Sequence, residues 1–347
     1  MSTIGIIGLG AVGTRLARQL VSADDTADVV LRDERRPRLE AIVASLGDRS
    51  RIDDGAYDAP MAVDAVVLAG PVGTHGRVAA RFVRAGIPVV SVSDGIADVR
   101  DLLDLDAEAR ERGLSVVVGA GFAPGLSCVL ARHAGARFDE VDEIHVAKAG
   151  TGGPACARHH HQALGAAALD WRDGTWLERP GGSGRELSWF PDPLGGLDCY
   201  RAALPDALVL VPAFPGVRRV TARVAATRRD RLTARLPMLW PTHPEGGPGG
   251  VRVEVRGRRG IARDVIVYGA MDRPAVAAGA VAGIATQWAL EGRLERLGAG
   301  GLAELVAPIP FLAELRRRGV RAAVFQGAAN DGPEASASPV TTPSAAS

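Results

Sequence analysis

Thr3-Ile-Gly-Ile-Ile-Gly8-Leu-Gly10-Ala-Val-Gly13-Thr-Arg-Leu-Ala-Arg-Gln-Leu20 decides the fold. A short β-branched run from Thr3 to Ile7 reads as a strand, and Ala11 to Ser22 has the spacing of a helix. Between them three glycines fall at Gly8, Gly10 and Gly13. In this strand-turn-helix setting the first glycine permits a tight turn, the second a close approach by a ligand, and the third close contact of helix with strand. Leu9, Ala11 and Val12 complete the loop. The free N–H groups opening the helix favour an anion, so Gly8 to Gly13 is expected to hold the pyrophosphate of a dinucleotide.

Working outward, Val29–Leu31, Ala65–Ala69, Pro88–Val92 and Ser115–Val118 read as further strands. Helical sequence such as Gly76–Ala85 and Val99–Arg112 separates them. Alternation of this kind predicts a doubly wound parallel sheet, that is, an N-terminal Rossmann domain over residues 1–122. Asp33 follows Gly13 by 20 residues at the end of the second strand, where a carboxylate can accept from ribose hydroxyls and so select NAD. Arg32, Arg35 and Arg36 crowd the same place and can instead hold a 2′-phosphate. NAD and NADP therefore both remain open. Gly70-Pro71 closes a strand near the switch of the sheet and is a second expected cofactor contact.

Beyond Gly119 glycine and proline become dense and β-like runs dominate: Glu143–Ala147, Ala207–Pro212, Arg219–Ala225, Val251–Val255 and Asp264–Val267. The expectation is an α/β chain in which a second α+β domain on a mixed sheet occupies residues 123–270. Asp272-Arg-Pro-Ala reads as an Asp cap on an apolar helix running to about Leu290. Residues 271–327 are expected to return as helices to the first domain. Residues 328–347, rich in Ala, Ser, Pro and Thr, cannot bury enough surface to be ordered.

Composition narrows the function. Of 347 residues 47% are hydrophobic, and the net charge of +1 gives no reason to expect nucleic acid or an anionic membrane as partner. Ser115–Leu130 and Ala275–Leu290 fall short of a membrane span. With no signal peptide at the start and only three cysteines (Cys128, Cys156 and Cys199), read as buried thiols, the expected setting is the cytoplasm. A homodimer is expected because the apolar Ala275–Leu290 helix needs cover.

Gly119-Ala-Gly121-Phe-Ala-Pro124-Gly125-Leu-Ser127 joins the last strand of the first domain to a helix. Together with Tyr268-Gly-Ala-Met-Asp-Arg-Pro-Ala-Val-Ala-Ala-Gly279, this stretch resembles the saccharopine dehydrogenase-like family. The resemblance covers the Rossmann half well and the second domain loosely. It implies NAD(P)-linked oxidoreduction at the amine or imine carbon of an amino-acid derivative; the expected partner is a small substrate carrying a carboxylate. Reduction of a carbonyl or activated carbon–carbon double bond, and a non-catalytic sensor of NAD(P)H, are the alternatives.

Lys148 is the only lysine among 41 basic residues. It ends a strand before Ala-Gly-Thr151-Gly152-Gly-Pro154-Ala-Cys156-Ala-Arg-His159-His160-His161, where Pro154 marks a helix start. Lys148 is expected to fix a substrate carboxylate or pass a proton, and His160 to share in acid-base work. Thr151, Gly152 and His159 are expected to line the substrate site. Consecutive helical histidines point about 100° apart and do not converge on one ion. Cys156 and His160 share a face, but two ligands make no closed zinc site, so no metal is expected. Asp198 reads as a helix cap.

Overall fold

The computed structural model describes residues 2–22, 27–238, 243–320 and, as backbone, 322–325. The first half alternates strand and helix: β1 (Thr3–Ile7), α1 (Ala11–Ser22), β2 (Asp28–Arg32), α2 (Arg36–Leu46), β3 (Ser50–Ile52), β4 (Ala65–Leu68), α3 (His75–Arg84), β5 (Val89–Ser91), α4 (Ile96–Leu103), α5 (Asp106–Glu111) and β6 (Ser115–Val118). The β1, β4, β5 and β6 runs are hydrophobic and almost wholly buried, as strands covered by helices on both faces must be.

Next come α6 (Leu126–Gly135), β7 (Glu140–Ala149), α7 (Pro154–Gly165), β8 (Ala168–Arg172), β9 (Thr175–Arg179), β10 (Glu186–Phe190), β11 (Gly195–Arg201), α8 (Asp206–Leu210), β12 (Arg219–Ala225) and α9 (Arg228–Thr233). The described residues end on β13 (Gly249–Arg259), β14 (Ala262–Asp272), α10 (Pro274–Leu290), β15 (Gly298–Gly301), α11 (Leu302–Leu305), α12 (Pro308–Arg317) and β16 (Ala322–Phe325).

All pairings in the first sheet are parallel, in the order β15-β6-β5-β4-β1-β2-β3. This is the Rossmann order with β15 added at one edge. The second sheet runs β10-β11-β12-β7-β13-β14-β16, with β8 and β9 branching from β12; β7 and β12 are parallel and the other pairs antiparallel. The α/β class with a mixed second sheet is as expected.

Three local readings are corrected. Ala207–Pro212 is not a strand: Asp206–Leu210 is a helix, because a short continuous apolar run fits either element and only packing decides. Asp198 lies inside β11 rather than capping a helix. Asp272 does not cap α10 either; Arg273 holds the cap position, and Asp272 accepts from the Arg273 N–H at 2.6 Å.

Helix α10 is covered within the chain. Its Gly279 lies against the backbone of α1, so close that a methyl group there would stand 2.9 Å from the Leu16 nitrogen. The helix therefore needs no second subunit for cover, which removes the reason given for a dimer. Residues 328–347 lie outside the described residues.

Candidate active site

The glycine loop is built by close packing. Gly8 has φ +95°, and a β-carbon on it would come within 2.5 Å of Gly70. One on Gly13 would come within 1.9 Å of the Gly8 carbonyl oxygen. Gly10 differs: nothing lies within 4 Å of where its β-carbon would be. That open space stands beside the first turn of α1, whose N–H groups lack helical partners, and it suits a pyrophosphate.

Asp33, directly after β2, accepts from Leu9 N–H at 2.6 Å and from Arg35 N–H at 2.8 Å. The carboxylate thus ties the end of β2 to the loop, and its remaining lone pairs can take ribose hydroxyls. Arg32 does not bear out a role toward phosphate. Its side chain is buried and donates to Asp53 and to the carbonyls of Ala56, Tyr57 and Ala59, so it braces the β3–β4 loop. Arg36 pairs with Glu40 and Asp54. Gly70 packs under the Tyr57 hydroxyl.

The Gly70-Pro71 turn is fastened to the end of β5 by residues that sequence reasoning passed over. His75 donates from Nε2 to the Gly70 carbonyl at 3.1 Å, which leaves Nδ1 to accept from Ser91 Oγ at 2.8 Å. Burial lowers the His75 pKa, in keeping with this neutral tautomer. Asp98 accepts from Gly73 N–H and His75 N–H at the start of α3 and from Ser93 Oγ. Ser93 in turn accepts from Gly95 N–H at 3.2 Å. Between Ser93 and Gly95 stands Asp94.

Asp94 is the centre of the site. Lys148, at the end of β7 and only 2% exposed, donates to Asp94 Oδ2 at 3.2 Å and to the Ala123 carbonyl at 2.9 Å. His160 on α7 donates from Nε2 to the same Oδ2 at 2.7 Å, and His159 donates to the Asp94 carbonyl at 3.2 Å. His161 points elsewhere and donates to the carbonyls of Thr233 and Leu236. His159 and His160 reach one residue because Asp94 offers both its backbone and its side-chain oxygens.

Electrostatics follow from this grouping. Burial would raise the Asp94 pKa, but Lys148, His160 and His159 outweigh it and hold the carboxyl well below its usual range. Burial, and Lys148, draw His160 down; Cys156, Asp94 and the hydrogen bond to Asp94 prevail, and the imidazole is pushed up to about 9. One anion thus faces two cationic side chains. Asp206, at the start of α8, accepts from Ser127 Oγ at 3.0 Å, and burial raises its pKa despite the nearby Lys148.

Thr151 and Gly152 lie in the turn between β7 and α7. A β-carbon on Gly152 would stand 3.4 Å from Val12, and one on Gly153 would stand 2.8 Å from Ala11. The turn therefore rests on the glycine loop rather than beside Asp94. Cys128 and Cys199 are buried, and burial pushes their thiols up to about 12 and about 11. Cys156 is not buried as expected; it is partly exposed, with Sγ 3.5 Å from His160 Nε2.

Residues 2–123 match the model of an oxidoreductase family with an NAD-binding Rossmann fold. The chain is an NAD(P)-dependent oxidoreductase. Its fold is shared with the apo saccharopine dehydrogenase (L-Glu forming) of Saccharomyces cerevisiae, at a TM-score of 0.67 and 15% identity over 94% of this chain and 100% of that one. A probable dehydrogenase from Thermotoga maritima gives a TM-score of 0.49 at 14% identity, covering 93% and 98%. The C. glutamicum DAP dehydrogenase in complex with DAP gives 0.47 at 17%, covering 89% and 95%. Among the described residues no helix is long and apolar enough to cross a membrane. The NAD(P) fit rests on the open cradle at Gly10 and on Asp33. Gly8 to Gly13 would hold the pyrophosphate, and Asp33 the ribose.

Proposed function

We propose that this oxidoreductase acts at the carbon–nitrogen bond of an amino-acid derivative, with Lys148, His160 and Asp94 as its polar machinery. The observation that carries the reading is the single carboxylate oxygen of Asp94 shared by Lys148 at 3.2 Å and His160 at 2.7 Å. The cluster lies beyond the carboxyl end of β5, the side of a doubly wound sheet where ligands bind.

The bound dinucleotide supplies or accepts the hydride. In the reductive direction the carbon of a protonated imine gains that hydride, and the bond's electron pair returns to nitrogen. The resulting neutral amine takes the Nε2 proton of His160, and the imidazole regains one from solvent. In the oxidative direction the neutral imidazole first removes the ammonium proton. Lys148 binds the substrate carboxylate, while Asp94 fixes the ammonium and the imidazole relative to each other. Thr151 and Gly152, resting on the glycine loop, border the cofactor, and His159 orients the backbone of Asp94.

A panel of 2-oxo acids offered with amines, and of the matching secondary amino acids, would be followed by NADH and NADPH absorbance. On the substrate so found, Lys148→Ala and Asp94→Asn are expected to lower kcat by on the order of 100-fold or more and to leave NAD(P)H affinity within about 2-fold. Full turnover in both variants would overturn the assignment. Turnover confined to carbonyl or alkene substrates would move the chemistry to those bonds.

A further inference from the structure

Cys156 has no part in the proton transfer described above, yet its sulfur lies in the same cluster. Position 156 precedes 160 by one helical turn, so α7 presents the thiol and the imidazole on one face. The β5–α4 loop brings Asp94 to that face from the other domain. The three donor atoms lie within 4.8 Å of one another. Asp94 is the third ligand that Cys156 and His160 lack when read from sequence alone.

The spacing suits a borderline-soft divalent ion. Tetrahedral zinc, with bonds of about 2.3 Å to sulfur and about 2.05 Å to nitrogen or oxygen, separates a sulfur and a nitrogen ligand by about 3.5 Å, and a nitrogen and an oxygen by about 3.3 Å. Cys156 Sγ stands 3.5 Å from His160 Nε2. His160 Nε2 stands 2.7 Å from Asp94 Oδ2, so the carboxylate need open by only about 0.6 Å. Lys148 is no obstacle: its bond to the Ala123 carbonyl at 2.9 Å anchors it independently, and it remains an outer partner of Asp94. Thiolate and imidazole together favour zinc over magnesium or calcium.

We propose that Asp94, Cys156 and His160 form a three-ligand zinc site, whose occupation takes His160 Nε2 out of proton transfer and so switches the enzyme off. Zinc ligation takes the thiolate of Cys156 and the neutral imidazole of His160, so the ion's entry releases protons to solvent. The inhibitory consequence rests on the assignment of His160 above; the site itself does not.

Cobalt(II) is the probe, since it takes zinc geometry and is coloured. Chelator-treated full-length protein titrated with Co2+ is expected to bind one equivalent. It should gain a thiolate charge-transfer band in the near ultraviolet and strong visible bands of tetrahedral coordination. Zn2+ should bleach both, and excess Mg2+ neither. Cys156→Ser, kept close in shape, is expected to lose the charge-transfer band and bind at least about 10-fold more weakly, with NADH binding showing that it remains folded. Absence of the band in the wild type, or its persistence in Cys156→Ser, would overturn the site and leave the proton-transfer reading intact. On the substrate found by the panel, zinc should abolish turnover at the occupancy the spectrum reports. Binding without inhibition would overturn the switch, and with it the role of His160.

Discussion

The glycine loop and the Asp94 cluster stand at the carboxyl ends of strands in the same sheet, and they are assembled in opposite ways. The loop takes all its parts from Gly8 to Gly13 and works through backbone N–H groups and close packing. The cluster takes a carboxylate from the β5–α4 loop, an ammonium from the end of β7 and two imidazoles from α7. A site made of backbone is specified by the absence of side chains and fails when one is added. A site made of charges fails when a partner is removed or a proton lost.

The strongest way to break the loop is Gly13→Val. Its β-carbon would fall 1.9 Å from the Gly8 carbonyl oxygen, so helix and strand must part. Loss of NAD(P)H binding and a destabilisation of about 3 kcal/mol are expected by fluorescence titration and urea unfolding. Gly10→Ala sharpens the point, because nothing lies within 4 Å of its β-carbon. That variant should unfold like the wild type and still bind NAD(P)H at least about 10-fold more weakly, since a methyl group would occupy the pyrophosphate's approach. If Gly10→Ala binds normally, the dinucleotide does not pass over this loop.

The cluster, unlike the loop, should answer to pH. His160 has a folded pKa raised to about 9 against about 6.5 unfolded. A raised value means that the folded state holds the proton more tightly. Its contribution to stability is therefore complete below about 6.5 and is lost as pH rises through about 9. Asp94 is depressed, so its contribution is present above the ordinary carboxylate range and is lost on the acid side. Urea midpoints across this range should fall more steeply on the alkaline side for wild type than for His160→Asn. Equal slopes would show that the raised imidazole is not coupled to folding. Rates in the reductive direction, which need the protonated imidazole, should fall through the same window.

The two regions also differ in how far the sequence reveals them. β1 and α1 were legible to the residue, because a strand, three glycines and a helix specify each other over contiguous chain. Lys148 and His160 were legible as types, one by being the only lysine and the other by following a helix-start signal. Asp94 was not, since Ser91-Val-Ser-Asp-Gly95 carries no motif and becomes a site only when β7 and α7 arrive from the second domain. His75 and Asp98 stayed hidden because their partners, Gly70, Gly73, Ser91 and Ser93, meet them only when α3 and α4 pack beside β5. β15 is a Gly-Ala-Gly-Gly strand without β-propensity, and it exists because β6 offers it a parallel edge.

Coenzyme choice gives the smallest expected effect and tests a charged side chain that the loop enlists. Asp33 accepts from the Leu9 and Arg35 amides and so places a fixed negative charge beside the ribose position. A 2′-phosphate there would meet that charge, and Arg32, engaged with Asp53 and three backbone carbonyls, does not offset it. NADH is therefore expected to bind about 10-fold more tightly than NADPH, roughly 1.4 kcal/mol, with Asp33→Ala bringing the two within about 2-fold. Because Asp33 also holds the Leu9 amide, the variant should weaken both coenzymes somewhat, and only the ratio isolates the repulsion. A wild-type preference for NADPH would mean that exposed Arg35 reaches the 2′-phosphate, and Arg35→Ala should then abolish it.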